Sequence, residues 1–148
     1  MTGAPLADAL SAPAIPARHT LSGFNAEMGF ELISWGEDGH ARTRFMVQER
    51  HLNTAGIVHG GVLCSFLDFT SGMSGVYTPD LGAPRACVTL SLTTGFVAPA
   101  RRGPLLGFGQ VVGGGRSIFH VDARIEDSEG RLVATAQGAF KRSRPRAA

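Results

Sequence analysis

The sequence predicts an α+β domain in which one long helix packs against an antiparallel sheet. Apolar residues between positions 62 and 77 recur at helical spacing and occupy one broad arc of a helix. The segments on either side alternate apolar and polar residues, which is typical of strands with one buried face. Because these segments follow one another through short turns, we expect hairpins and therefore an antiparallel sheet.

The composition indicates one globular domain. The chain has 148 residues, enough for a single core, and 43% of them are hydrophobic while 18% are charged. The net charge of +2 gives no nucleic-acid footprint, and no apolar run approaches the roughly 18 residues of a membrane span. Since the N-terminus also lacks a basic signal-like region, we expect a cytoplasmic protein with neither nucleic-acid nor membrane partners.

Three parts are expected along the chain. Residues 1–18 are rich in Ala and Pro and predict a mobile tail, residues 19–142 form the domain, and residues 143–148 form a basic tail. The two cysteines, Cys64 and Cys87, are too few for a disulfide framework. The histidines and acidic residues show no tight ligand spacing, so neither a metal nor another cofactor is predicted.

The first half of the domain predicts a hairpin. Residues 20–27 can hold a short turn or helix, and residues 28–35 form the first strand. Residues 36–39 supply an Asp-Gly turn. Residues 40–48 then alternate and place one set of side chains toward the core, namely Ala41, Thr43, Phe45 and Val47.

The central helix is predicted over at least Leu63–Val76. It follows a polar loop over residues 49–58 and ends before the Pro- and Gly-rich residues 78–84. Opposite its apolar arc lies a face of small residues with one carboxylate: Gly61, Cys64, Ser65, Asp68, Ser71, Gly72 and Gly75. A small face allows another backbone to approach closely, and partial desolvation of Asp68 there favours a chemical role.

The strand after the helix, over residues 86–97, combines an apolar and a hydroxyl-bearing face. Val88, Leu90 and Leu92 alternate with hydroxyl side chains, of which Thr89 is predicted to line a polar pocket. The hydroxyl row as a whole can equally be solvated.

Three further strands complete the predicted order β-β-α-β-β-β-β. Residues 105–112 form a strand whose glycines at positions 107 and 109 suggest a bulge, and residues 113–115 form a flexible glycine loop. Residues 117–126 and 131–142 form a hairpin around Ser128, Glu129 and Gly130.

The start of the central helix offers hydrogen-bond donors. Gly60 and Gly61 leave the first backbone N–H groups uncovered, and such donors can hold a carbonyl oxygen or an oxyanion. Asn53 and His59 can add side-chain donors. A straight helix rises about 12 Å from Gly60 to Asp68, so Asp68 cannot reach a carbonyl held at Gly60 of the same helix. Either the two features are unrelated, or a second copy of the helix brings Asp68 to the donors.

The pattern Asn53-x-x-Gly56-x-x-His59-Gly60-Gly61, with Asp68 nine residues after the histidine, resembles the hotdog-fold thioesterases of the PaaI (phenylacetate-pathway) type. A second segment, Thr89-x-Ser91-Leu92-x-x-x-Phe96-x-x-Pro99-Ala100, resembles the family strand that follows the central helix. The resemblance covers residues 24–142. It implies a hotdog fold, in which a curled antiparallel sheet wraps one long central helix, and an acyl-CoA thioesterase for small or medium acyl groups, aromatic ones included. It also implies a homodimer with shared active sites, and a dimer of dimers (a homotetramer) is expected.

The resemblance also implies catalytic roles. In that family the helix N-terminus and the Asn polarise the thioester carbonyl, which corresponds here to Gly60 and Asn53. The family Asp, contributed by the partner subunit, acts as general base or nucleophile, and a hydroxyl on the next strand assists it. These positions are Asp68 and Thr89 here. Relatives often carry an acid where this chain has Ser91, which leaves the role of that position open.

Substrate contacts and competing functions are less sharply indicated. His59 and Gly61 are candidates for shaping the carbonyl site. For the CoA phosphates, Arg116 is the candidate chosen from a larger basic set that includes Arg85, Arg101, Arg102 and Lys141. The alternatives are a hydratase or dehydratase acting on acyl-CoA or acyl-carrier protein, for which no matching segment is found, and a non-catalytic acyl-CoA-binding protein, against which Asp68 argues.

Overall fold

A computed structural model describes residues 21–36, 39–77 and 85–144, and six antiparallel strands there curl around one long helix. The helices are α1 (Gly23–Met28) and α2 (Gly60–Gly75), and the strands are β1 (Glu31–Trp35), β2 (Ala41–Phe45), β3 (Cys87–Phe96), β4 (Leu105–Gly114), β5 (Ile118–Glu126) and β6 (Leu132–Arg142). The strands lie side by side in the order β1-β2-β4-β5-β6-β3. The predicted α+β class and element order are confirmed.

Some sequence predictions fall on parts of the chain that are not described. The tail expected over residues 1–18, the helix exit at residues 78–84 and the end of the basic tail lie outside the described residues. Residues 37 and 38 of the predicted Asp-Gly turn also lie outside them. None of the described helices is long and apolar enough to cross a membrane.

The hairpin before the central helix is confirmed. Ala41, Thr43 and Phe45 are buried, as the alternation predicted. The short helix α1 ends at Met28 and is capped by Gly29, whose φ of 73° is favourable for glycine, so β1 begins at Glu31 rather than at residue 28.

Aromatic side chains form the core under α2. Phe66 of α2 is fully buried and its ring lies 5.1 Å from Phe30 and 4.8 Å from Phe45. Phe30 in turn stacks on Phe69 at 5.6 Å. These contacts stabilise a helix that its glycines would otherwise weaken. The helix begins at Gly60 and ends at Gly75, so Val76 is the C-cap residue rather than part of the helix.

The small face of α2 serves partly to bring this chain's own sheet close. Gly72 and Gly75 are buried. A β-carbon on Gly75 would overlap the Phe119 ring, and one on Gly72 would lie 3.2 Å from Cys87 Sγ. The C-terminal half of this face is therefore closed within the subunit. The half up to Asp68 also meets β3 of the same chain, through Cys64 with Thr94 and Asp68 with Thr89.

Two glycines of β4 set the distance between α2 and the sheet. A β-carbon on Gly107 would overlap the hydroxyls of Thr43 and Thr70, which share a buried hydrogen bond of 2.6 Å. A β-carbon on Gly109 would overlap the Ser74 hydroxyl. The glycines thus serve helix–sheet packing.

The predicted bulge and glycine loop in this region are both misplaced. The register of β4 against β5 shifts between Val111 and Gly113, not at the earlier glycines. Gly113 and Gly114 pair with His120 and Phe119, so they extend β4. The flexible loop expected at residues 113–115 is therefore wrong, because a shifted register lets pairing continue through the glycines.

The alternation predicted for β3 is broken by a bulge. The register against β6 shifts between Thr89 and Ser91. Val88 and Leu90 are 60% and 52% exposed, whereas Leu92 packs against the core, so the three do not share one face. Because the bulge adds one residue, Thr89 and Leu92 both lie on the helix side of the strand.

The last hairpin is confirmed around residues 128–130. The Asp127 N–H donates to the Arg131 carbonyl at 3.0 Å, and Gly130 turns the chain with a φ of 77°. The Asp127 carboxylate also accepts from the Arg131 side chain at 2.9 Å.

Candidate active site

His59 caps the N-terminus of α2. Its Nδ1 accepts the Gly61 N–H at 2.9 Å, while its backbone carbonyl accepts from Val62 at 2.9 Å and from Leu63 at 3.2 Å. The Gly60 N–H remains the one donor of this turn without an acceptor among the described residues. The pair of uncovered donors expected from the two glycines is therefore corrected to one, because the imidazole occupies the Gly61 donor.

Asn53 lies in a tight turn that fixes the orientation of its amide. Its Oδ1 accepts the N–H groups of Ala55 at 2.9 Å and Ile57 at 3.3 Å. Gly56, with a φ of 71°, donates its N–H to the Asn53 carbonyl at 2.9 Å. Since Oδ1 is engaged, Nδ2 is the end of the side chain that can donate outward.

Backbone pairs hold the Asn53 turn against the start of α2. Leu52 and Val58 form an isolated antiparallel bridge, and the His59 N–H donates to the His51 carbonyl at 2.8 Å. The Val58 N–H also donates to Ala100, just after β3, at 2.8 Å. The loop is thus tied on both sides, which places the Asn53 and Gly60 donors in one region.

Asp68 is held by the neighbouring strand. Thr89 Oγ1 donates to Asp68 Oδ1 at 2.5 Å, and the carboxylate is half-buried beside an exposed threonine. The bulge in β3 carries Thr89 to this position. The structure brings Asp68 and Thr89 together, which the sequence suggested only through family resemblance.

Asp68 and Gly60 stay apart within one subunit. Both belong to the continuous helix α2, and the eight residues between them correspond to about 12 Å of rise. One subunit therefore cannot bring its own Asp68 to its own Gly60, as a site shared by two subunits requires.

An aromatic side chain that sequence reasoning left unassigned lies beside Gly60. The Phe96 ring is 58% exposed, and a β-carbon on Gly60 would lie only 3.4 Å from its Cζ. In the sequence, Phe96 was indicated only by its place in the segment that ends at Pro99 and Ala100. Its contact with Gly60 follows from the tertiary structure.

Arg116 lies at the other end of the helix. It occupies the exposed turn between β4 and β5. Arg142 links that turn to the helix, because its Nη1 donates to the Gly115 carbonyl at 2.9 Å and its Nε to the Gly75 carbonyl at 2.7 Å. The structure thus does not bring Arg116 to Gly60 of the same chain.

Cys87 lies near Asp68 but is not an available nucleophile. Burial, together with the negative charge of Asp68, raises the pKa of the Cys87 thiol to about 11, while Arg142 acts in the opposite direction. The thiol therefore remains protonated near neutral pH. Within the described residues, no group of three or more His, Cys, Asp or Glu side chains could hold a metal ion.

The chain is similar to known proteins over most of its length. The thioesterase superfamily matches residues 55–134, a range that contains Gly60, Asp68 and Thr89. The chain belongs to the thioesterase superfamily. It is accordingly a hydrolase with the hotdog fold, and it is similar to a solved structure named as related to phenylacetic acid degradation.

Individual relatives cover most of the chain. A Saccharolobus solfataricus protein named as an esterase is 32% identical over 104 residues, which are 70% of this chain and 67% of that protein. A conserved Pseudomonas aeruginosa protein of known structure is 29% identical, with a TM-score of 0.76 over 86% of this chain and 100% of its own. A Ralstonia eutropha thioesterase-type structure, named as related to phenylacetic acid degradation, is 28% identical with a TM-score of 0.73 over 82% and 91%.

Proposed function

We propose that this thioesterase hydrolyses an acyl-CoA to the free acid and CoA at sites shared by two subunits. The observation that carries the proposal is the position of Asp68. Thr89 holds this half-buried carboxylate on α2, about 12 Å along the helix from the Gly60 N–H. Because the donor at Gly60 and the Asp68 carboxylate are so far apart, they can act on one thioester only if the α2 helices of two subunits lie side by side.

The carbonyl oxygen of the thioester would accept hydrogen bonds from the Gly60 N–H and Asn53 Nδ2. Charge develops on this oxygen as the carbon becomes tetrahedral, and donors fixed in advance stabilise it. The positive end of the α2 dipole adds to that field. His59 contributes by capping Gly61 and so holding the first turn.

Asp68 of one subunit would act on a carbonyl held at Gly60 of the other. Two routes fit: the carboxylate takes a proton as water attacks the carbonyl carbon, or it attacks directly and water then cleaves the anhydride. In both, the C–S bond breaks and CoA leaves as the thiol. The Thr89 hydrogen bond to Oδ1 leaves Oδ2 for this chemistry.

The edge of the sheet supports a homodimer. β3 is an edge strand, and it exposes three large apolar side chains, Val88, Leu90 and Phe96. An edge with exposed apolar residues is a surface that proteins normally cover. Pairing of β3 with its copy across a two-fold axis would set the two α2 helices side by side. We include a dimer of dimers in the proposal as the next level of assembly.

Contacts to the two ends of the substrate are part of the proposal. Arg116 is exposed and would meet a CoA phosphate, since guanidinium groups suit phosphate geometry. The exposed Phe96 ring beside Gly60 offers an apolar surface next to the carbonyl. That ring, together with the phenylacetic acid relation of the Ralstonia eutropha relative, favours an aromatic or medium-sized acyl group.

A panel of acyl-CoA substrates tests the proposal. Thiol release from acetyl-, hexanoyl-, benzoyl- and phenylacetyl-CoA is followed with a thiol-reactive dye, and we expect turnover of at least one. If calorimetry detects binding while none is cleaved, the protein is an acyl-CoA-binding protein instead. Loss of the double bond of an enoyl-CoA without thiol release would identify a hydratase.

A further inference from the structure

We infer that His51 is a positioning residue for the reaction: it holds the capped start of α2, and with it the Gly60 donor, in the geometry that the carbonyl requires. The inference rests on the proposed role of Gly60. His51 itself touches neither substrate nor reacting atoms.

The backbone of His51 is the direct link to the helix cap. Its carbonyl accepts the His59 N–H at 2.8 Å. His59 in turn holds the Gly61 N–H through Nδ1, and Gly60 lies between these two residues. A shift of the His51 backbone would therefore move the peptide that carries the Gly60 N–H.

The side chain of His51 fixes that backbone. The residue is only 1% exposed, and its Nδ1 accepts the Gln48 N–H at 2.9 Å. The His51 N–H donates back to the Gln48 carbonyl at 2.9 Å, which closes a 3₁₀ turn over Glu49–His51. The ring also packs edge-on against Phe45 of β2, with centroids 5.3 Å apart. The imidazole thus anchors the turn to the sheet.

Packing alone does not account for a histidine here. With Nδ1 accepting, the ring proton resides on Nε2, and this buried atom makes no hydrogen bond of good geometry among the described residues, its polar neighbour being the Met28 backbone. A buried donor that is poorly aligned with its acceptor adds little to stability, so an apolar side chain would suit packing as well. The acceptor at Nδ1 is what an apolar residue could not supply.

The anchor requires a neutral ring. Burial lowers the pKa of His51, and the nearby Arg50 lowers it further, while the Met28 backbone acts in the opposite direction. Among the described residues, β2 meets the ring with Phe45 and α1 with the Met28 backbone, and Arg50 is the charged side chain acting on it. Protonation at Nδ1 would remove the acceptor for Gln48. Because the folded pKa lies below the ordinary value, this contribution is complete above about pH 6.5 and is lost as the pH falls toward the folded pKa.

Two substitutions at this position separate the acceptor from the packing. In His51→Asn, Oδ1 can replace Nδ1 as the acceptor and cannot titrate, so we expect kcat near wild type and a smaller loss of activity below pH 6.5. In His51→Leu, the volume is kept and the acceptor is lost, and we expect kcat to fall about tenfold, with KM little changed, from the displaced oxyanion donor.

Val121→Ala is the matched control, because Val121 is a buried β5 residue outside the site. All variants are assayed well below their Tm. If His51→Leu lowers Tm like Val121→Ala but keeps wild-type kcat, His51 is merely structural and the inference is overturned. A folded His51→Asn protein as slow as His51→Leu would equally overturn the role of the Nδ1 acceptor.

A second readout works without turnover. The Gly60 and Gly61 amide resonances in NMR spectra should shift in His51→Leu and stay in place in Val121→Ala. If they shift while no acyl-CoA is hydrolysed by wild type, the positioning role stands and the proposed function fails. Unmoved resonances in His51→Leu would overturn the positioning role independently of any substrate.

Discussion

At the residue scale, one hydrogen bond decides how Asp68 is presented. Thr89 donates to one carboxylate oxygen, and in the proposed reaction the other oxygen would act on a water molecule or a carbonyl carbon. The residue types were readable from the sequence, but their contact was suggested only by the family resemblance. It depends on the bulge between Thr89 and Ser91, which periodicity does not reveal.

Substitutions at these positions should rank by role. Asp68→Asn keeps the shape and loses the base or nucleophile, so we expect kcat to fall at least about 100-fold. Thr89→Ala and Asn53→Ala each remove one hydrogen bond and should have smaller effects. Ser91→Ala, an exposed hydroxyl on the same strand, is the control and should remain close to wild type.

The measurement is kcat/KM by thiol release, with circular dichroism to establish that each variant is folded. A folded Thr89→Ala or Asn53→Ala protein as inactive as Asp68→Asn would show that the roles are misassigned. If Asp68→Asn keeps more than about a tenth of wild-type turnover, Asp68 is not the catalytic group.

At the element scale, α2 packs closely on the sheet because glycines replace larger side chains at the contact. The glycines of β4 and the glycines of α2 allow backbones and hydroxyl groups to meet where side chains would collide. The sequence showed small residues on both elements, and we expected those on α2 to face a partner. Cys64, Asp68, Gly72 and Gly75 face the chain's own sheet instead, since a curled sheet reaches around more than one side of a helix.

Alanine substitutions in β4 should distinguish the packing glycine from its neighbour. In Gly109→Ala the new methyl group meets the Ser74 hydroxyl and lies 2.9 Å from the Thr70 carbonyl, so we expect a loss of about 1–3 kcal/mol in the free energy of unfolding. In Gly113→Ala nothing lies within 4 Å, and stability should change little. Urea unfolding midpoints compare the two. Equal midpoints would mean that the helix can shift without cost and that Gly109 does not set its distance.

At the scale of the whole molecule, the proposed function depends on a second copy of the chain. The exposed β3 edge and the distance between Gly60 and Asp68 are independent features of one subunit. Both features are accounted for if two subunits pair along β3 and each places its Asp68 at the Gly60 donor of the other.

Mixed dimers test whether Asp68 of one subunit acts at the site of the other. Asn53→Ala and Asp68→Asn proteins are unfolded and refolded together, which makes about half of the dimers mixed, each with one intact site. If each variant alone is nearly inactive, activity should rise to about a quarter of wild type. A Gly60→Val protein can replace Asn53→Ala if that variant stays too active. With subunit exchange verified by mass spectrometry, an unchanged activity would place the whole site within one chain.

The sequence by itself determined the fold class, the strand order along the chain and the site residues worth naming. These follow from local information: helical spacing between residues 62 and 77, alternation in the strands, and glycines beside a histidine at a helix start. Turn chemistry at Gly130 and the core face of β2 were likewise local and correct.

Only the tertiary structure decided how those residues are used. The bulges in β3 and β4 arise from pairing with distant strands, so alternation mispredicted the faces of Val88 and Leu90 and glycine content mispredicted a loop at Gly113. The burial of His51 depends on how the loop before α2 folds back against the sheet. Such features depend on contacts between residues far apart in the chain, whose energies are absent from any local pattern.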